Sequence, residues 1–160
     1  MDNVVNIEGL DELRQKFSMF DAALQQASKE ELEKLARDTQ IGIRTRIADA
    51  PRIDTGQLHA SINYHVSVSL TGVEAIITPD YSGRHAIFVE ENTRPHWPPI
   101  AAITPWAERH GIEPFLAARA IAQHGTKGIH MFAEEFKEVV SKGDDTALRI
   151  GRTTFRKLGW

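Results

Sequence analysis

The sequence predicts an α+β fold: N-terminal helices, an antiparallel sheet of three to four strands, and C-terminal helices. Two observations lead there. Apolar residues recur every three or four positions through the first fifty residues, and the period then falls to two between Tyr64 and Ile77. A single domain spans residues 1–160, divided into a helical arm (1–50), a turn and sheet (51–92), a proline loop with helices (93–142) and a C-terminal helix or tail (143–160).

In the arm, Leu10, Leu13, Phe17, Phe20 and Leu24 mark one apolar face. Ser28-Lys29-Glu30-Glu31 has the spacing of a capping box, with Ser28 as N-cap and Glu31 reaching back. A second helix then carries Leu32, Leu35, Thr39, Ile43 and Ile47 up to Pro51, although one long helix with a register shift near Ser28 fits equally. Tyr64, Val66, Val68 and Leu70 alternate with polar residues as a half-buried strand does. Thr71-Gly72 turns the chain, Val73, Ala75 and Ile77 return it, and Ala86 to Glu90 reads as a third strand. Thr104-Pro105 has the form of an N-cap and first helical position, closed by Gly111. Further helices are expected from Glu113 to His124 (stopped by Gly125), around Phe132, Phe136 and Val139, and from Asp144 to Phe155.

Composition narrows the function classes. Hydrophobic residues make up 41% and charged residues 26%, which suits a folded domain rather than a disordered one. There is no cysteine, so disulfide scaffolds, zinc ribbons and thiol nucleophiles are excluded, and manufacture in a reducing cytoplasm is expected. A net charge of −3 argues against a protein whose main task is gripping nucleic acid. No basic leader precedes Val4-Val5 and no apolar run is long enough for a membrane span, so neither a signal peptide nor a membrane partner is expected. Acids stop after Asp145 while Arg149, Arg152, Arg156 and Lys157 follow, giving a basic end that should be solvated or face a partner.

The chemical motifs favour no catalytic, cofactor or metal site. Asp54-Thr55-Gly56 matches the aspartic-protease triplet, but that chemistry needs two carboxylates sharing a proton, and the apolar strand that leads into the triplet is missing. The plainer reading is a structural turn in which Asp54 or Thr55 caps a short helix and Gly56 relieves the backbone. His59 and His65, or His124 and His130, lack the spacing that puts two imidazoles on one helical face. Gly125-Thr126-Lys127-Gly128 has the residue types of a phosphate loop in the wrong order, and Glu134-Glu135 and Asp144-Asp145 read as solvated helix positions. Asn92 to Pro99 places three prolines in eight residues and so takes an extended path. Within it Arg94, Pro95, His96, Trp97, Pro98 and Pro99 form a candidate assembly interface, against the alternative that Trp97 folds back onto its own sheet.

Three segments in order resemble the small tail-component proteins of long-tailed phages, described as tail-completion or neck proteins. The first is Pro51-Arg52-Ile53-Asp54-Thr55-Gly56-Gln57-Leu58-His59-Ala60-Ser61-Ile62; the second is Ala86 to Ile100, a strand leading into an aromatic–proline loop. The third begins at Trp106 and continues from Phe115 through Arg119-Ala120-Ile121 to Gly125-Thr126. The resemblance covers about residues 50 to 132, and the chain beyond Ser141 matches nothing in it. Asn92 stands where the family usually has glycine, and asparagine tolerates the positive φ such a turn would need.

The resemblance implies helices flanking an antiparallel sheet and a non-enzymatic ring subunit at the head–tail junction of the virion, made in the bacterial host cytoplasm. Its partners would be further copies of itself, adjacent neck and tail proteins and, in passing, genome DNA. A tail terminator or head-closure ring is the neighbouring alternative. An aspartyl-type hydrolase using Asp54, and a binding module built on the proline loop or the basic tail, are the alternatives of another class.

Overall fold

A computed structural model describes residues 8–50 and 54–160. Pro51, the expected helix stop, lies outside them. Among the described residues there are seven α-helices and one two-stranded antiparallel sheet.

The arm is one helix, α1 (Leu10–Asp49), of 40 residues. Ser28 continues the helix, so the capping box does not form. Glu31 is instead 5% exposed and takes hydrogen bonds from Lys34 Nζ at 2.7 Å and Arg149 Nε at 3.1 Å. The serine-to-glutamate spacing of a box also occurs inside helices, and here tertiary partners claim the carboxylate. The buried face rotates along the rod. Ala23, Ala27 and Glu31 lie inward in the first part, and Ala36, Thr39, Ile43 and Ile47 in the second.

After the turn, a single-turn helix α2 (Gln57–Ser61) leads into β1 (Ile62–Ser69), which pairs with β2 (Gly72–Pro79) from Ile62 opposite Pro79 to Ser69 opposite Gly72. This is the expected hairpin. Gln40 Nε2 and Arg44 Nη2 both donate to the Ile62 carbonyl, at 2.7 and 2.8 Å, which fastens α1 to the start of β1. The sheet ends there. Ala86–Glu90, expected as a third strand, is a short helix, α3. Ala86 and Val89 point inward while Ile87 and Phe88 stay exposed, an i, i+3 pattern that a strand cannot produce. A five-residue apolar run does not distinguish the two periods.

Helix α4 (Ile100–Arg109) begins four residues before the expected Thr104 cap. Pro105 therefore lies within it and cannot give the Ala101 carbonyl its i+4 donor, and Thr104 Oγ1 donates to the Ile100 carbonyl at 2.8 Å. Helix α5 (Pro114–His124) follows the sequence reading closely: Glu113 accepts from Leu116 N at 2.8 Å, Pro114 opens the helix, and Gly125 ends it with φ 69°. Helices α6 (Met131–Ser141) and α7 (Gly143–Lys157) complete the chain. The basic end is not a free tail. Arg149 and Lys157 bind Glu31 and Glu30, so α7 is docked on α1.

The core sits where the second half of α1 meets the hairpin, α3 and α6: Ile43, Ile47, Leu58, Ile62, Ala86 and Met131. It is small for the chain. The accessible surface is 11364 Å², whereas a compact monomer of this mass exposes about 8,000 Å². Ten residues counted as unfolded chain would supply at most about 1,600 Å² of that excess.

Candidate functional site

The proline loop is positioned by a short ladder. Ile129 N donates to the Val89 carbonyl at 2.9 Å, His130 N to the Glu90 carbonyl at 3.2 Å, and Thr93 N to the Thr126 carbonyl at 2.9 Å. The side chains reinforce it: Thr126 N donates to Thr93 Oγ1 at 2.9 Å, and the two threonine hydroxyls meet at 2.8 Å. Asn92 does not take the positive φ expected of it. Its Oδ1 accepts from Gly128 N at 2.9 Å, so the asparagine serves as a side-chain acceptor. The Glu90 carboxylate accepts from Phe132 N and Ala133 N, at 3.0 and 2.9 Å, and so caps α6 from a distance, where a negative group also complements the helix dipole.

Beyond that ladder, Pro98 is buried while Arg94, Pro95, His96, Trp97 and Pro99 are exposed. His96 Nδ1 bonds the Arg94 carbonyl at 2.8 Å. Trp97 is 53% exposed and meets Phe115 at the start of α5 edge to face, with ring centroids 5.7 Å apart. The indole therefore does not close the core under the sheet. Its partner Phe115 is itself about half exposed.

The Asp54–Gly56 turn faces the same region. Gly56, with φ 72°, occupies the N-cap of α2, where no side-chain cap is made; Thr55 Oγ1 only receives a long 3.4 Å contact from Gln57 N. The expected cap by Asp54 or Thr55 is thus absent, because Asp54 is engaged elsewhere. Both its carboxylate oxygens accept from Arg109 at the end of α4. The Arg109 guanidinium holds the Asp54 carboxyl below its ordinary value, and His110 adds to the effect. A carboxylate locked against a guanidinium is a tie between elements, and it is poorly suited to share a proton in a dyad.

Between this turn, α3 and the α4–α5 hairpin lies a cleft of about 1390 Å³, walled by apolar groups such as Ile47, Leu58, Val89, Ile103, Trp106 and Ile121. Five of the seven histidines line it: His59, His85, His96, His110 and His124. His110 stacks on Trp106 with centroids 4.7 Å apart. Among the described residues no group of three or more histidine, aspartate or glutamate side chains is placed to hold a metal ion. The structure thus brings Asp54 and the proline loop to one cleft, which the sequence did not join. Arg109 and Glu90 were missed, since their partners lie 55 and over 40 residues away. No family model matches the chain, and no curated protein or solved structure is significantly similar to it.

Proposed function

We propose that the chain is a structural subunit of a tailed-phage virion, closing with further copies into a ring at the head–tail junction as a tail-completion or neck protein. It performs no catalytic step of its own. Its contacts are with neighbouring copies, with adjacent neck and tail proteins and, in passing, with the genome.

One observation carries the reading beyond the sequence resemblance: the subunit leaves far more surface in water than its mass requires, and large apolar groups, Trp97 of the proline loop among them, are part of that surface. Trp97 and Arg94 are of the types in which interface energy concentrates, and the prolines reduce the entropy lost when an extended arm docks. Repeated heterologous contacts of this kind close into rings when the rotation between copies closes. No helix among the described residues is long and apolar enough to cross a membrane.

The test is electron microscopy of virions labelled with antibody to the purified chain, joined to complementation. Label at the neck, and unjoined heads and tails when Trp97→Ala replaces the parent, are the expected results. Label absent from virions would overturn the proposal.

A further inference from the structure

The first half of α1 and the end of α7 form a layer only two helices thick. Arg149 bonds Glu31, Phe155 meets Phe20 and Trp160 meets Phe17, so α7 runs broadly antiparallel to α1, with the long Lys157 side chain reaching back to Glu30. Ala23 and Ala27 are buried in the seam. To one side of it Leu10, Leu13, Phe17 and Leu24 form an apolar stripe that the fold leaves partly in solvent; Phe17, which meets Trp160 edge to face, is 61% exposed. The stripe is extended by Trp160 and Phe155, which are also exposed and are joined ring to ring at 5.5 Å. A helix pair with an apolar stripe of this width lacks a layer.

The pattern of the stripe says what supplies it. Leu10 and Leu24 stand seven residues either side of Phe17, and both fall on the same face. Along one edge lie Arg14 and Asp21, of opposite sign and on either side of the midpoint. Arg14 is well exposed, with only a 3.8 Å pairing to the fully exposed Asp11. Turning a second copy antiparallel about Phe17 sets Leu10 beside Leu24 of the other copy, Phe17 beside Phe17, and Arg14 beside Asp21, twice over. A surface complementary to itself in apolar groups and in charge is what a two-fold contact requires. A standard interface takes about 800 Å² from each partner, well within the surface this chain exposes beyond that of a compact monomer.

We propose that the chain pairs with a second copy of itself through this face, two α1 and two α7 helices forming an antiparallel four-helix bundle with its two-fold axis at Phe17. The contact uses no residue of the proline loop and does not rest on the head–tail reading.

The chain contains no cysteine, which makes the register directly testable. At about 100 µM, above the constants of ordinary weak interfaces, light scattering of the full chain should give twice the monomer mass or a multiple of it. Phe17→Glu should weaken the pairing by about tenfold or more with helix content retained, since Phe17 is largely in solvent. Under mild oxidation, Leu10→Cys mixed with Leu24→Cys should give a disulfide-linked pair, whereas Leu10→Cys alone should not, its two copies lying roughly 21 Å apart along the bundle. Arg14→Asp should weaken pairing several-fold, and adding Asp21→Arg should restore it. A monomeric parent overturns the proposal, as does efficient linking of Leu10→Cys to itself. So does an assembly indifferent to Phe17→Glu, and a ring of that kind would leave the head–tail reading standing.

Discussion

Asp54, in the turn after α1, accepts hydrogen bonds on both carboxylate oxygens from Arg109, 55 residues further on at the end of α4. Together with the Thr93–Thr126 bridge, it ties the α4–α5 hairpin across the mouth of a cleft.

Cutting that tie should loosen the hairpin without unfolding the chain, because exposed ion pairs contribute little to global stability. Asp54→Asn is expected to leave the main melting transition almost unmoved while amide exchange accelerates in α4 and α5. The same loosening should appear in the parent at acid pH. The Asp54 carboxyl is held below its ordinary 3.8, so the tie is complete above that value and is lost as pH falls through the lower folded-state value.

A pair of glycine substitutions should move stability in opposite directions. Glu135, 7% exposed and bonded by Arg46 Nε, lies directly over Gly42, so a methyl group there would overlap the carboxylate. Gly42→Ala should cost about 0.5–2 kcal/mol net, because the Glu135 carboxylate must swing away from Arg46 and this outweighs the helix preference for alanine. Gly151, in α7, has open space beside it, and Gly151→Ala should stabilise by roughly 0.5–1 kcal/mol. Urea unfolding of the two variants checks both signs.

Acid should also weaken the docking of α7. The Lys34 hydrogen bond, and then that of Arg149, keep the buried Glu31 carboxyl below its ordinary 4.5 despite burial. A depressed carboxyl contributes stability that is fully present above 4.5 and disappears as pH falls through its folded-state value. Melting temperatures measured from neutral pH down to pH ~3 should fall less steeply for Glu31→Gln than for the parent.

Trp97→Ala should be mild for folding. The indole is half in solvent and its marked contact is one edge-to-face pair with Phe115, so a loss of about 0.5–1.5 kcal/mol is expected rather than the ~3–5 kcal/mol of a core tryptophan. Chemical denaturation of the variant measures it, and a loss in the core range would place the ring elsewhere.

What the sequence disclosed was local. The hairpin announced itself through alternation from Tyr64 and the Thr71-Gly72 turn, and α5 through its start near Glu113 and its stop at Gly125, because the deciding forces act within a few residues. Ser28–Glu31 misled for the converse reason: whether Glu31 caps a helix or bonds Arg149 depends on a residue 118 positions away. Ala86–Glu90 was too short for its period to be read, and its burial pattern exists only once α6 covers one side. The candidate site was half legible. Both the Asp54 turn and the proline loop stood out, but Arg109, Glu90 and the convergence of five histidines depend on chain reversals that no local spacing records.

The length of α1 has a hydrodynamic consequence. Forty residues of helix extend about 60 Å, whereas a compact chain of 160 residues has a radius of gyration of only about 15 Å. The protein therefore carries a rod longer than a globule of its mass is wide, and it meets more friction than a sphere would. It should diffuse slowly and leave a size-exclusion column early, so that even the monomer passes for something heavier.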